Sequence, residues 1–334
     1  CDCSIRCTIR SVTSKKTSER FAAECLAGLR RAEALRPAIT AGAPRTVEGT
    51  LEPYNELLMA ASTSNALAGL MSEVHPDETI RDAARECEQA VARFYSDLAL
   101  DREMYDAIAA VDVGAADART RRFHAHTLRD YRRAGVDRAP EVRARLKQID
   151  EELTRLGQQF SKNIAEDVRA IEVPAADGLA GLPADFIAAH PPAKSGAVRI
   201  ITTDYPDYNP FMTYAESDAL RRDLYVKFRS RGDAHNEAVL HDILVLRAEK
   251  AGLLGYADWA DYVTADKMIK SGEHVAEFIA KVWKLAAPRA EADYASLLAQ
   301  LQRVDPTATE VCDWQKTWLE NQVKKEQYEV DASE

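Results

Sequence analysis

Residues 140–168 read PEVRARLKQIDEELTRLGQQFSKNIAEDV, and this stretch decides the fold class. Its apolar residues recur every three or four positions, which places them on one stripe of an α-helix. Pro140 suits the first turn of a helix, because the N–H that proline lacks has no helical partner there. We therefore predict a long helix over 140–168 that packs one face against a core. The predicted core face consists of Val142, Leu146, Ile149, Leu153, Leu156, Phe160, Ile164 and Val168.

Helical periodicity also fills most of the remaining chain. The predicted helices cover residues 17–36, 47–72, 78–98, 102–111, 117–134, 275–285 and 294–301, with further helical segments after Pro210. Asp77 and Asp101 are predicted N-caps, because a carboxylate at that position accepts free N–H groups of the first turn. Pro37 and Gly135 are expected to end helices. Ser62-Thr63-Ser64 is expected to interrupt the second helix.

Residues 171–210 interrupt the helical pattern with several prolines and glycines. Within them, Val198-Arg199-Ile200-Ile201-Thr202 is typical of a short strand. The fold class that we predict is mainly α, with a small β excursion near 170–205. The predicted regions are an atypical N-terminal segment 1–16, a helical region 17–170, the irregular excursion 171–210 and a second helical region 211–334.

The composition excludes some classes of partner. The 334 residues carry a formal net charge of −10, and 46% of them are apolar, which is ordinary for a globular protein. A chain with this charge lacks the basic footprint of a protein that binds DNA or RNA. No stretch reaches the ~20 consecutive apolar residues of a membrane span. We therefore expect no nucleic acid among the partners and no membrane span.

Six cysteines are too few for a disulfide framework in a chain of this length. Cys25, Cys87 and Cys312 lie in helical contexts, where we expect buried free thiols. The three N-terminal cysteines follow the pattern Cys-x-Cys-x3-Cys, and a soft-metal site there stays open as an alternative. The predicted compartment is the reducing cytoplasm. A lipid-anchored or exported protein, modified at Cys1, is the alternative.

The seven histidines give no zinc motif of the metallopeptidase type. A His-Glu-x-x-His motif places two imidazoles one helical turn apart, whereas His124 and His126 are two residues apart and His235 and His241 are six apart. We interpret all seven as surface or capping residues. The sequence also lacks a phosphate-binding glycine loop and the serine turn of hydrolases. We therefore assign no catalytic, cofactor-binding or metal-binding residue to this chain.

Tyr205, Tyr208 and Tyr214 cluster around two prolines. A tyrosine ring offers an apolar face and a polar hydroxyl, and both suit a peptide-binding groove. The alternative is that the three rings pack the β excursion against the helices. From the residues alone both interpretations stay open, and no active site is complete.

Three blocks of sequence carry a family resemblance. The first block is Leu128–Val136 with Arg143–Lys147 and Leu156–Asn163. The second is Thr203–Pro210 with Leu220–Arg222 and Tyr225. The third is Asn236–Arg247 with Ala251–Tyr256 and Lys267-Met268. In this order they resemble the thimet oligopeptidase and oligopeptidase A family of zinc metallopeptidases. Each block is modestly specific, but the ordered set is strong. The resemblance extends over nearly everything from about Thr17 onward.

This resemblance implies an almost wholly helical, elongated protein in which the chain forms one side of a deep channel for short peptides. It also implies a catalytic helix with His-Glu-x-x-His and a further glutamate ligand, where zinc activates water and the first glutamate acts as the base. That helix belongs to the family's second half, and no residue of this sequence matches it. We therefore expect zinc and the catalytic glutamate outside this chain, and we predict that the chain alone is inactive.

Three interpretations follow from the resemblance. The chain is a fragment of an ordinary oligopeptidase, or one half of a two-chain enzyme with zinc on a separate polypeptide, or a non-enzymatic helical module that binds peptides or a partner protein. The function that we predict is the N-terminal, channel-forming part of a zinc-dependent oligopeptidase that hydrolyses short peptides. Because a missing half leaves apolar surface exposed, the chain alone is expected to bind hydrophobic dye or to associate.

Overall fold

The computed structural model describes residues 15–41, 44–174, 178–193, 196 and 198–328. The chain forms two compact units, and each unit combines separate stretches of sequence. Unit 1 takes its residues from 1–158 and 242–262, and unit 2 takes them from 159–241 and 263–334. The regions expected from the sequence stay a prediction. The three N-terminal cysteines considered as a soft-metal site lie outside the described residues.

Most of the described residues are helical. The α-helices are α1 (Lys15–Thr40), α2 (Glu52–Val74), α3 (Glu78–Ala99), α4 (Arg102–Ala109), α5 (Ala118–Ala134), α6 (Pro140–Glu166), α7 (Ala184–Ala189), α8 (Tyr205–Tyr214), α9 (Asp218–Arg229), α10 (Asp233–Leu254), α11 (Trp259–Thr264), α12 (Gly272–Leu301) and α13 (Asp313–Tyr328). One π-helical turn, Val47–Leu51, precedes α2. Strands β1 (Ala170–Pro174) and β2 (Val198–Thr202) pair antiparallel. The predicted mainly α fold with a small β excursion is therefore confirmed, and no described helix is long and apolar enough to cross a bilayer.

The long helix predicted from Pro140 onward is α6. Leu146, Ile149 and Leu156 of its predicted core face are buried. Val168, the last member of that face, lies beyond the helix end and is exposed. The helix is therefore confirmed, and its core contact is concentrated in the part that belongs to unit 1.

Three predicted helix boundaries are confirmed by backbone geometry. The carboxylate of Asp77 accepts the N–H of Thr79 at 2.9 Å, and that of Asp101 accepts the N–H of Met104 at 3.0 Å. Each contact satisfies an N–H group that has no partner within its own helix. Gly135 follows α5 with a φ of 101°, a conformation that glycine adopts without steric cost.

Three prolines lie inside described helices: Pro210 inside α8, and Pro37 and Pro288, where the sequence pattern predicted a helix end and a gap. α1 continues through Pro37, and α12 runs through Pro288 as a single helix. After Pro37, the last turn of α1 is stabilised because Ile39 is fully buried. The guanidinium of Arg45 also donates to the carbonyl of Ile39 at 2.6 Å.

The expected interruption at Ser62-Thr63-Ser64 is also wrong, because α2 runs through it without a break. The hydroxyl of Ser64 donates to the backbone carbonyl of Cys25 in α1, and that of Thr63 donates to the carbonyl of Met59 one turn earlier. The hydroxyl groups are therefore satisfied inside a helix that is packed against α1.

The core of unit 1 forms where α1, α2 and α3 pack against one another and against α4. Leu57, Met104 and Ile108 are fully buried in it, and burial of each such side chain contributes about 2 kcal/mol. Gly28 permits the close approach of α1 and α2, since a Cβ atom there would lie 2.4 Å from the carbonyl oxygen of Ala60.

The core of unit 2 forms under the two strands. Strand β1 buries Ile171 and Val173 on one face, and β2 buries Ile201 beside them. Phe211 of α8 and Leu224 of α9 complete this core. The alternation of exposed and buried residues along β1 is that of an antiparallel strand with one face on a core.

The structure corrects the prediction of free thiols at Cys25 and Cys87. Their sulfur atoms form a disulfide that joins α1 to α3, and both residues are almost fully buried. The two cysteines are 62 residues apart, and only the packing of α1 against α3 brings them together. Cys312 is a free cysteine, and the pKa of its thiol is raised by burial and by nearby carboxylates.

Candidate functional site

The histidines of the described residues do not converge on a metal site. Within the part of the chain that the structure describes, no group of three or more His, Cys, Asp or Glu side chains is placed to hold a metal ion. His124 contacts the backbone carbonyl of Ile108 at 2.9 Å. His190 is the C-cap residue of α7, which agrees with the predicted surface or capping role; its side chain is 15% exposed, and its Nε2 lies 2.9 Å from the carboxylate of Asp207. These residues do not fit zinc, and we assign no step through zinc to them.

The three tyrosines considered for a peptide groove lie in unit 2. Tyr208 stacks on Phe228 with ring centroids 3.8 Å apart, and Tyr205 meets the same ring edge-on at 5.5 Å. Tyr214 packs against the core of the unit, as Tyr208 does. Burial raises the pKa of the Tyr208 hydroxyl. Tyr208 and Tyr214 therefore pack the helices, whereas Tyr205 is largely exposed.

An open cavity of about 520 Å³ in unit 1 has the properties of a ligand site. Its walls come from α3, α6, α10 and α11, and its volume is in the range of small-molecule sites. We call it the α10–α11 cavity. The lining residues that carry polar or aromatic groups are Tyr95, Ser96, Asp150, Thr154, Arg247, Lys250, Trp259 and Tyr262.

One ion pair lies in the wall of this cavity. The ammonium of Lys250 contacts the carboxylate of Asp150, and the Lys250 side chain is mostly buried. The hydroxyl of Ser96 donates to the same carboxylate at 3.4 Å, while that of Thr154 donates to the backbone carbonyl of Asp150 at 2.9 Å. The negative charge of Asp150 is therefore already balanced by Lys250.

Arg247 has a different environment from Lys250, three residues away on the same helix. Its guanidinium lies over the ring of Trp259, 5.3 Å from the centroid. It makes no hydrogen bond or ion pair with any described residue, although the side chain is partly buried. The donors of its planar group are therefore free for a ligand in the cavity.

Aromatic rings form the other side of the α10–α11 cavity. Trp259 and Tyr262 lie on one face of α11 with ring centroids 5.2 Å apart. Arg133 of α5 donates to the backbone carbonyl of Tyr262 at 2.8 Å, which fixes the position of α11. Tyr95 of α3 lines the opposite wall, and burial raises the pKa of its hydroxyl. The cavity thus combines apolar ring faces with one cation that has no counter-ion.

Sequence analysis did not identify this cavity. A weak signal is present, because Ile243, Arg247 and Lys250 follow each other at helical spacing, as do Trp259 and Tyr262. Such spacing places residues on one face of each helix. It does not reveal that the two faces meet, which only the fold decides.

A second feature, in unit 2, is the apolar first half of α12. Phe278, Ile279, Val282, Trp283 and Leu285 are between 45% and 72% exposed. We call these five residues the α12 apolar surface. Their spacing places them on one broad face of α12, opposite Glu277, Lys281 and Lys284, and an apolar helix face of this kind normally packs against another element. An exposed surface of this kind indicates a contact with another polypeptide.

Comparisons with known proteins agree with the family resemblance. Residues 211–334 match the description "Peptidase family M3". The chain is 29% identical to Oligopeptidase A of Salmonella typhimurium over 218 residues, which cover 61% of this chain and 32% of that protein. It is 27% identical to the Thimet-like oligopeptidase of Dictyostelium discoideum over 267 residues, which cover 78% of this chain and 39% of that protein. It is 25% identical to the Probable cytosolic oligopeptidase A of Arabidopsis thaliana over 325 residues, which cover 90% of this chain and 45% of that protein.

The resemblance to the thimet oligopeptidase and oligopeptidase A family is therefore confirmed. The matches span between about a third and under half of the length of these relatives. The M3 match includes α12, so the α12 apolar surface lies in the part of the chain that this family shares.

Proposed function

We propose that this chain is the channel-forming, non-catalytic part of a zinc-dependent oligopeptidase that hydrolyses short peptides. The observation that carries the proposal is the match to Peptidase family M3 together with the similarity to oligopeptidases, which covers 90% of this chain in the Arabidopsis thaliana protein. The zinc and the catalytic glutamate belong, in this proposal, to the remaining part of such an enzyme. Zinc supplies an activated water there, and this chain supplies walls that admit short unfolded peptides.

The α12 apolar surface supports a contact with that remaining part. Its five side chains lie in the segment matched by the M3 family, and the relatives are more than twice as long as the stretch they share with this chain. We therefore assign one occupant to this surface, the catalytic part of the same peptidase. That part is connected to this chain or is a separate polypeptide, and the surface serves in either case.

A non-enzymatic module is the second candidate. The α10–α11 cavity favours it, because peptide binding there requires no catalytic residue from elsewhere. The two candidates differ in one observable, which is hydrolysis by a zinc-containing assembly.

The compartment that we propose is the cytoplasm, with an exported or Cys1-anchored protein as the alternative. Sparse use of cysteine supports the cytoplasm. The disulfide between Cys25 and Cys87 supports an oxidising compartment.

Purification of the tagged chain from its source organism tests the proposed function. We expect a native mass well above 37.0 kDa, one bound zinc, and hydrolysis of a fluorogenic short peptide that a chelator abolishes. Trp283→Glu combined with Phe278→Glu is expected to abolish the activity and, where the catalytic part is a separate polypeptide, to remove the additional mass. The matched control is Val304→Glu, because Val304 is 66% exposed and lies outside the α12 apolar surface.

Two outcomes contradict the proposal. A metal-free species of 37.0 kDa without hydrolysis favours the non-enzymatic module. The second outcome is zinc-dependent hydrolysis by the homogeneous chain without any further polypeptide. It requires catalytic residues within this sequence, and it overturns the proposal that they lie outside this chain.

A further inference from the structure

We propose that the α10–α11 cavity binds the C-terminal carboxylate of a peptide, with Arg247 as the group that holds the carboxylate. The rings of Tyr95, Trp259 and Tyr262 surround the apolar side chain next to it. The choice of a peptide as the ligand rests on the proposed function. The binding site itself rests on the geometry of unit 1.

The charge of the α10–α11 cavity favours an anionic ligand. Lys250 and Asp150 neutralise each other in the cavity wall, whereas Arg247 has no counter-ion among the described residues. The lining therefore carries one uncompensated positive charge. A guanidinium binds a carboxylate through two parallel N–H groups that match its two oxygens.

Arg247 is preorganised for ligand binding. The cation–π contact with Trp259, 5.3 Å from the guanidinium carbon to the ring centroid, restricts Arg247, while its N–H donors make no hydrogen bond with a described residue. Because the side chain is partly buried, part of its conformational freedom is already lost before a ligand arrives. Less entropy is then lost on binding than with a mobile surface arginine.

The remaining walls of the cavity are mainly apolar and aromatic. Rings on two sides and the apolar atoms of α6 enclose a volume of about 520 Å³. Gly157 on α6 contributes open space, because a Cβ atom placed there would meet nothing within 4 Å. A carboxylate carried beside an aromatic or large apolar side chain therefore fits the chemistry of this cavity.

A carboxylate next to an aromatic or large apolar group occurs at the C-terminus of a peptide and also in a free aromatic acid. The two sources share the carboxylate and the apolar group, but only the peptide brings backbone N–H and C=O groups. Tyr95 and Ser96 are among the lining residues, and their side chains carry hydroxyl groups that can bind such groups. We therefore commit to the peptide, and 3-phenylpropionate serves as the probe for the other source.

Isothermal titration calorimetry on the full chain tests the proposal with acetyl-Ala-Ala-Leu-Phe as the probe. The same peptide with a C-terminal amide is expected to bind at least tenfold more weakly, because it lacks the charge and the second oxygen. Arg247→Gln is expected to remove the difference between the acid and the amide. Arg247→Lys is expected to retain part of it, since an ammonium keeps the charge but loses the fork geometry.

Matched controls separate the cavity from general effects. Arg222 also lies over a tryptophan, 5.4 Å from the ring of Trp314, but it lies outside the cavity, so Arg222→Gln is expected to bind the acid normally. Gly157→Leu fills the cavity and is expected to abolish binding. Gly252→Leu places the same side chain in open space on α10, outside the cavity lining, and is expected to leave binding unchanged.

Equal affinity for acid and amide overturns the proposal, as does unchanged binding by Arg247→Gln. Binding of 3-phenylpropionate as tight as that of the peptide acid overturns the assignment to peptides. None of these titrations requires zinc or hydrolysis. A negative result therefore leaves the proposed peptidase function intact, and failure of that function leaves the titration valid.

Discussion

Replacement of Arg221 by alanine is expected to lower the free energy of unfolding of unit 2 by about 3 kcal/mol. Arg221 is only 2% exposed, although it is a long cationic residue on α9. Its guanidinium donates to the carbonyls of Ala215 and Glu216 at 2.5 Å and 3.0 Å, and to the carboxylate of Asp218 at 3.0 Å. It also lies 4.7 Å from the ring centroid of Trp318 on α13.

These contacts place one side chain at the junction of α8, α9 and α13 within unit 2. Burial lowers the pKa of Arg221, while the adjacent Asp218 raises it. Alanine leaves the buried carbonyl of Ala215 without its donor and opens a void beside Trp318. Both effects destabilise the folded state in the same direction.

Urea denaturation followed by tryptophan fluorescence measures the loss. The control is Arg222→Ala, the exposed neighbour on the same helix, which is expected to change the free energy of unfolding by less than about 0.5 kcal/mol. Arg221→Met keeps much of the volume but none of the donors, and it is expected to fall between the two. Equal midpoints for Arg221→Ala and Arg222→Ala contradict this prediction.

The local elements of this fold could be predicted because their signals are local. Asp77 and Asp101 cap helices through contacts two or three residues away. Gly135 ends α5 through its own backbone conformation. The apolar stripe after Pro140 determines a helix without reference to any other part of the chain.

The predictions from sequence that were wrong failed because tertiary packing outweighed the local signal. Pro37 was expected to end α1, but the burial of Ile39 and the bond from Arg45 keep the following turn helical. Arg221 is buried in a core, whereas an arginine is expected at the surface. Periodicity describes one face of one element, whereas these residues are determined by what the face packs against.

The candidate site was less predictable than the fold for the same reason. Arg247 and Lys250 look alike in the sequence, three residues apart on one helix. One is neutralised by Asp150, 100 residues earlier in the chain, and the other has only the ring of Trp259. The family resemblance identified a class of protein and expected zinc elsewhere, but it assigned no role to either cation.

Loss of the disulfide between Cys25 and Cys87 is expected to lower the free energy of unfolding of unit 1 by about 4 kcal/mol. The bond closes a loop between residues 62 positions apart. Closing a loop of that length removes many conformations from the unfolded chain, and the folded chain is stabilised accordingly. The bond lies between α1 and α3 in the core of the unit, so its loss affects the helices that pack there.

Urea denaturation with and without a reducing agent measures this difference, after unfolding and refolding in each condition so that the buried bond is accessible. Cys25→Ala combined with Cys87→Ala is expected to reproduce the reduced midpoint in both conditions. Cys312→Ala is the control, because Cys312 is free and its removal leaves the reductant effect intact. Identical midpoints with and without reductant contradict the prediction.

The state of this cysteine pair in the source organism also decides the compartment. Alkylation of the protein under denaturing conditions, directly on lysis, labels every free thiol and leaves a disulfide unlabelled. Protection of Cys25 and Cys87 indicates an oxidising compartment and overturns the proposed cytoplasmic location. Labelling of both supports the cytoplasm, where thiols are kept reduced, and it means that unit 1 works there without the covalent link. The same pair of residues then makes the isolated, oxidised protein more stable than the protein in its cell.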